Sequence, residues 1–376
     1  MSGHSCATHS IMAAVATEPK GPFDIRALQL EGPRPGEVLV RVAGVGICHT
    51  DLIARDQMLP VKLPAVLGHE AAGTVEQVGA EVSDLAPGDK VVLTFLSCGA
   101  CHQCAKGEPA YCAQMPMLNF LGRRPDGSVA LSDGDIPVSS HFFGQSSFAS
   151  YALAPRRSVV KVASELPLEL LGPLGCGIQT GAGAVLNVID AQAGSSIAIF
   201  GGGAVGLSAV LAAVAAGCTR IAAIDPKPER RQMALDLGAT EALDPLAEDF
   251  SAALAANGEF DSSLDTSGVP ESIAAAVACL RVRGVCALVG TPSVLGQTFP
   301  VRTGLFVQKG IMLRGVIEGD SDPQSFIPLL LSLQAQGRFP FERLIRTYPL
   351  AAINEAIADQ HSGACIKPVL TMDAYS

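Results

Sequence analysis

The chain has 376 residues, 48% of them hydrophobic, and a net charge of −10 at neutral pH. That length accommodates two domains with sizeable cores, and the composition excludes a disordered chain. No basic stripe interrupts the acidic balance, which excludes nucleic acid as a partner, because phosphate binding needs clustered Lys and Arg.

The opening residues, MSGHSCATHSIMAA, lack the basic start and long apolar run of a secretory signal, so a cytoplasmic protein is expected. His4 and His9 fall in this stretch, which reads as a mobile tail. The first half then divides into short β segments, Val38–Ala43, Gly73–Val78 and Lys90–Thr94, with turn sequences such as GPRPGE and APGD between them. From about Ser195 strands and helices alternate. Ser196–Phe200 precedes a helix over Ala204–Ala216, Arg220–Asp225 precedes one over Pro228–Leu237, and Phe260–Leu264 precedes one over Glu271–Leu280, with a strand at Val285–Val289. This alternation predicts an α/β, doubly wound parallel sheet. The apolar run Ser196–Gly217 contains three consecutive glycines and reads as a buried strand plus helix, so no membrane partner is expected. A helix is expected over Pro323–Gln336, and the tail IKPVLTMD returns to β patterning and is expected to rejoin the first domain. The boundaries expected are 1–178 with 321–376 for the β-rich domain and 179–320 for the other.

Gly201, Gly203 and Gly206 form G-x-G-x-x-G between a predicted strand and a predicted helix. Small residues let the backbone approach a pyrophosphate at the positive end of the helix. Ala204 and Val205 lie inside this turn. Asp225 ends the next strand, where a carboxylate can accept hydrogen bonds from ribose hydroxyls and repel a 2′-phosphate, so NAD is favoured over NADP. Arg230 could brace the same ribose. Thr180 and Val289 complete the candidate coenzyme contacts of this half.

Eleven cysteines without an export signal point to metal or catalysis rather than to a disulfide framework. Cys98, Cys101, Cys104 and Cys112, spaced C-x2-C-x2-C-x7-C in a lobe over 96–114, can close a tetrahedral structural zinc site; an iron–sulfur cluster is the alternative. Cys48 in GICHTD, His69 with Glu70 in GHE, and Cys176 in GCGIQTG would make a second site with one open position, although their spacing alone cannot bring them together. Cys6, Cys218, Cys279, Cys286 and Cys365 have no ligand pattern and read as structural.

These segments, the four-cysteine lobe, the nucleotide fingerprint and their order resemble the zinc-dependent medium-chain alcohol dehydrogenases along almost the full chain. The resemblance implies a GroES-like β-rich catalytic domain around a Rossmann domain, with two zinc ions and NAD. Cys48, His69 and Cys176 would hold the catalytic zinc with Glu70 just behind it, and the clustered cysteines would hold the second ion. Coordination lowers the pKa of water from about 15.7 to about 7, worth about 11–12 kcal/mol, and an alcohol is expected to respond similarly. Thr50 matches the family's proton-relay hydroxyl, and His49 a position facing the coenzyme pyrophosphate. Asp51 is the expected partner fixing His69, and Lys367 would meet Glu70 or the pyrophosphate. Ile53 stands where some members carry a relay His, so the proton would leave through the ribose and His49 or water. Phe95 and Phe120, with Phe142–Phe143, are candidate walls for a flat alcohol.

Within the family, GICHTDL–ARDQ, FFGQSSFA and LELLGPLGCGIQTGAGAVLN are similar to aryl-alcohol dehydrogenases, and relatives acting on allylic terpene alcohols such as geraniol share much of this. The expected reaction is reversible hydride transfer between a small alcohol and NAD, giving the aldehyde. Lys309–Ile317 resembles the strand that extends a sheet across a two-fold axis, so a homodimer or homotetramer is expected. A zinc-stabilised nucleotide-binding protein, the rival from another class, leaves Thr50 and the open metal position unexplained.

Overall fold

The structure is a computed structural model that describes residues 8–291 and 296–372; Cys6 and His4 lie outside the described residues. The chain forms two units. One comprises the residues up to Cys176 with 322–331 and 345 onward, and the other 177–321 with 332–344.

The first unit is built on two largely antiparallel sheets. One runs Ala65–Val66, Thr8–Ala16, Phe23–Glu31, Leu131–Asp133, Ile136–Val138. The strand Thr8–Ala16 corrects the expectation of a mobile tail at His9. His9 pairs with Leu30 and stacks on Tyr151 at 6.2 Å, because Ile11 and Ala13–Ala16 are buried and carry the segment into the sheet. The second sheet centres on Glu37–Gly46, flanked by Ala71–Val78 on one side and by the returning tail Lys367–Thr371 on the other. The tail therefore rejoins the first unit, pairing antiparallel with Val45 through Leu370.

An ionic group is buried at the start of that central strand. Arg124 donates to both Glu37 oxygens at 2.6 and 3.1 Å, and the Arg34 amide adds a third bond at 3.0 Å. Burial alone would raise the Glu37 pKa, but His141 and Arg124 hold the carboxyl well below the usual carboxylate range.

The second unit carries a six-stranded, wholly parallel sheet in the order Glu241–Leu243, Arg220–Ile224, Ser196–Phe200, Phe260–Asp265, Leu280–Leu288, Met312–Gly315. The sequence departs outward in both directions from Ser196–Phe200, so the strand order reverses there, as in a Rossmann sheet. Ala198, Phe200, Ala222, Ile224 and Phe260 are buried, which is why these strands read as nearly continuous apolar runs. Residues 332–344, expected with the β-rich domain, join the second unit instead; Arg338 donates to the Ala215 carbonyl at 2.6 Å, and Phe339 and Phe341 are fully buried. Among the described residues no helix is long and apolar enough to cross a membrane.

Candidate metal centres and coenzyme edge

Three loops of the first unit bring one donor set together. Cys48 caps the helix His49–Arg55, His69 and Glu70 lead into the strand Ala71–Val78, and Cys176 ends the turn Leu168–Gly175. Their ligand atoms all lie within 4.8 Å of one another. Asp51 ties the first two loops. Its Oδ2 accepts from the Cys48 amide at 2.9 Å, while Oδ1 accepts from the Gly68 amide at 3.0 Å and lies 2.8 Å from His69 Nδ1. The Asp51 carboxylate thereby selects the tautomer with hydrogen on Nδ1. His69 Nε2 is then left buried without a hydrogen-bond partner, a costly state that a cation relieves.

The electrostatics agree. A hydrogen bond from Cys176 outweighs burial and, with His69, holds the Cys48 thiol well below its ordinary pKa. Burial opposes charge on His69, yet Asp51 and Cys48 raise its pKa well above the ordinary value. Behind the donors, Glu70 pairs with Lys367, whose Nζ also donates to the Ile47 carbonyl at 3.1 Å. Of the two partners expected for Lys367, Glu70 pairs with it, and the ammonium is buried. Gly46 is needed beside this pair, because a Cβ there would collide with the Glu70 carboxylate and the Lys367 side chain.

Sequence reasoning missed what HFFGQSSF does around His69. Gln145 Nε2 donates to the His69 carbonyl at 2.9 Å, and the Ser147 and Phe148 amides bond the Gly68 and Leu67 carbonyls at 2.9 Å each. Phe143 stacks on the His69 ring at 4.3 Å, in a backbone conformation with φ of +52° that side chains rarely adopt. Phe142 meets His69 edge-on at 5.6 Å, and Phe120 lies 5.6 Å from Phe143. Phe95 is buried, and lines a cavity of about 570 Å³ with Ser97, Pro109, Arg157 and Pro323. Thr50 is half-buried with Oγ1 3.6 Å from Cys48 Sγ, His49 is exposed beside it, and Ile53 is half-buried one turn on.

Cys98, Cys101, Cys104 and Cys112 converge with their sulfurs within 4.8 Å. The pairs Cys98–Cys104 and Cys101–Cys112 are each 4.0 Å apart, close to the edge of about 3.8 Å expected for a tetrahedron with bonds of about 2.3 Å. Loop amides point at the sulfurs: those of Ala100 and Cys101 at Cys98, Ala113 at Cys101, and Gln114 at Cys112. Such backbone bonds bring the Cys101 thiol down to about 6, while burial pushes Cys112 up to about 11. Cys218, Cys279, Cys286 and Cys365 join neither group among the described residues; burial pushes Cys279 up to about 12 and Cys286 to about 11, which keeps both unreactive.

In the second unit, the turn after Ser196–Phe200 requires glycine twice. Gly201 has φ of +102°, and a Cβ on Gly206 would strike the Gly201 carbonyl. Gly203 caps the helix that begins at Ala204 and Val205, so the helix N-terminus faces this turn. Asp225 is buried just past the neighbouring strand; its oxygens accept from the Gly202 amide at 2.7 Å and the Lys227 amide at 2.8 Å. Arg230 approaches Asp225 at 3.6 Å and keeps a buried, unpartnered Nε. The Val289 amide donates to the Asp265 carbonyl at 2.8 Å, past the end of its own strand, and Thr180 is buried on the helix Gly177–Gly183.

A sheet ordered in this way, a glycine turn and two sulfur-rich donor clusters define a metal-binding dehydrogenase. Residues 34–164 match the family of the alcohol dehydrogenase GroES-like domain, and residues 204–334 match the zinc-binding dehydrogenase family. The geraniol dehydrogenase of Castellaniella defragrans is 50% identical over 367 residues, spanning 96% of this chain and 97% of that protein. An alcohol dehydrogenase zinc-binding domain protein from Burkholderia ambifaria superposes with a TM-score of 0.95 at 51% identity, covering 97% of this chain and all of the other. The benzyl alcohol dehydrogenase of Acinetobacter calcoaceticus gives 0.93 at 43% identity, over 97% and 99% of the two chains. The chain belongs to the zinc-binding, medium-chain alcohol dehydrogenases.

Proposed function

We propose that this alcohol dehydrogenase oxidises primary benzylic and allylic alcohols to aldehydes with NAD, using one zinc held by Cys48, His69 and Cys176 and a structural zinc held by Cys98, Cys101, Cys104 and Cys112. The convergence of the two thiols on an imidazole whose Nδ1 is fixed by Asp51 carries the reading. Zinc there would supply the Lewis acidity that makes an alcohol hydroxyl ionisable, and NAD would accept the hydride. Thr50 then receives the substrate proton, with exposed His49 as the adjoining exit to water. Glu70 and Lys367 neutralise one another behind the donors and keep the two thiolates the dominant negative charge. The sulfur separations of the lobe suit a single ion rather than a larger iron–sulfur cluster.

Benzylic and allylic alcohols share a hydroxyl-bearing carbon next to an sp2 carbon. The aromatic group of Phe120, Phe142 and Phe143 around His69 supports this class, since flat π systems pack well on ring faces. The relatives acting on geraniol and benzyl alcohol support it equally. Asp225, with both oxygens turned to the glycine loop and the following turn, supports NAD over its 2′-phosphorylated form. The two units would serve as the GroES-like catalytic domain and the coenzyme domain. The edge strand Met312–Gly315 is exposed along its length, with Met312, Leu313 and Ile317 open to solvent, and supports pairing of two copies, measurable by light scattering. The substrate test is kcat/KM with NAD for geranyl, cinnamyl, benzyl and ethyl alcohols. Ethanol is expected to fall at least about 100-fold below the others, as the loss of a buried aromatic or allylic body predicts. Ethanol as the best substrate would overturn the class.

A further inference from the structure

The segment that follows the last parallel strand of the second unit is held in an unusual conformation. Glu318, Gly319 and Asp320 have φ values of +49°, +68° and +49°, so two residues with side chains occupy the left-handed region in one turn. The surroundings enforce it. Gly183 and Gly319 approach so closely that neither could carry a Cβ, Asn187 Nδ2 donates to the Gly319 carbonyl at 3.0 Å, and Ser321 Oγ donates to the Glu318 carbonyl at 2.6 Å. Arg314 pairs with Asp320 at 2.9 Å. The conformation turns the Glu318 side chain inward, where it is 7% exposed and its Oε2 lies 3.5 Å from the Thr180 hydroxyl and 3.4 Å from the Gln179 amide, both neutral donors.

The topology fixes where this carboxylate stands. The Val316 amide bonds the Leu288 carbonyl at 2.9 Å, so the chain at 316–318 runs past the carboxyl ends of Leu280–Leu288 and Met312–Gly315. The same edge carries the Gly201–Gly206 turn and Asp225. A Rossmann sheet receives a dinucleotide across the point of strand reversal, one half on each side. Asp225 marks the adenosine side, next to Ser196–Phe200. The other half of the coenzyme therefore falls over the ends of Phe260–Asp265, Leu280–Leu288 and Met312–Gly315, the side on which Glu318 and its Thr180 partner lie. The helix bearing Thr180 packs against the start of the helix after the glycine turn, with Gly181 abutting the Val205 carbonyl.

We propose that Glu318 is a coenzyme-selecting residue: its carboxylate, set beside the nicotinamide half by the left-handed turn, favours the oxidised ring, which carries a positive charge, over the neutral reduced ring, and orients the Thr180 hydroxyl toward that half. The inference rests on NAD being the coenzyme. Its consequence is tight capture of NAD+ together with easy release of NADH, the combination suited to alcohol oxidation.

Binding of NAD+ and NADH to the zinc-loaded protein, by calorimetry and by nicotinamide fluorescence, tests this without reference to turnover. Glu318→Gln is expected to weaken NAD+ about tenfold, roughly the size of one charge–charge interaction, and to change NADH by less than about twofold. Glu318→Asn gives a second neutral side chain, one that tolerates positive φ, and is expected to shift the ratio of the two affinities in the same direction even if the Gln variant folds poorly. Equal weakening of both coenzymes, or of neither, in a folded variant overturns the role of Glu318 and leaves the NAD reading intact. A wild-type protein that binds neither coenzyme overturns both.

Discussion

The two sulfur clusters of the first unit are opposites in construction. The lobe cysteines span fifteen positions, are mostly half-exposed, and are supported chiefly by amide groups of their own loop. Cys48, His69 and Cys176 come from distant segments, and His69, Asp51, Glu70 and Lys367 are all sealed in the interior among hydrogen bonds that exist without any ion. In the lobe a cation would hold the chain together, whereas at the dispersed site the chain is already in place to hold a cation. Local spacing thus signals metal used for folding, and dispersed, preorganised donors signal metal used for chemistry.

Removing one donor from each cluster breaks the comparison most directly. Cys176→Ala is expected to lower kcat/KM by about 10³-fold or more, since the group that polarises the substrate is lost. Metal analysis should then fall from about two zincs per chain to about one, while the thermal midpoint moves by no more than about 5 °C. Cys101→Ala should remove about one zinc as well, yet act on folding, lowering the midpoint by about 10 °C and exposing the lobe to proteolysis. If the two variants exchange these phenotypes, the assignment of the clusters is reversed.

Asp51→Asn sharpens the contrast. It keeps the shape but weakens the hold on His69 Nδ1, and should cost about 10–100-fold in zinc affinity or kcat/KM at the dispersed site with the lobe zinc unchanged. Zinc titration with a chromogenic chelator separates the two ions. The smallest effect belongs to an ionic group that is part of neither cluster. Glu37 has a folded pKa depressed far below its unfolded value of about 4.3, so its contribution to stability is full above that value and is lost as the pH falls below it. Denaturant unfolding of Glu37→Gln should show lower stability than wild type at pH 7 and a flatter decline below about pH 4.

Much of this was legible in the amino acids. The strand at Ser196–Phe200 and the helix at Ala204–Ala216 were set by an apolar run broken by glycines, and the structure gives those same limits. The lobe cysteines were legible because a local spacing survives folding unchanged. Cys48, His69 and Cys176 were candidates by residue type, but only likeness to a family joined them in one site, since nothing in their separation says that a sheet will close between them. The strand Thr8–Ala16 was hidden because its polar start, Thr8, His9 and Ser10, carries no apolar alternation; it is recruited by pairing with Phe23–Glu31. Gln145 and Glu318 escaped notice for a related reason. Each acts through a backbone conformation or a carbonyl far along the chain, and neither leaves a pattern in neighbouring letters.

The seat of Lys367 has a consequence for dissecting the molecule. The strand Lys367–Thr371 lies between Glu37–Gly46 and Ile345–Pro349, almost 300 positions from the carboxylate that its first residue neutralises. A fragment ending at Cys176 would hold every donor of the dispersed site and still present a bare sheet margin at Val45, with Glu70 lacking its Lys367 ammonium. Cutting the gene at the apparent domain junction would therefore divide the first unit, whereas excising 177–321 and 332–344 would leave its three pieces, up to 176, 322–331 and 345 onward, to be rejoined at two points.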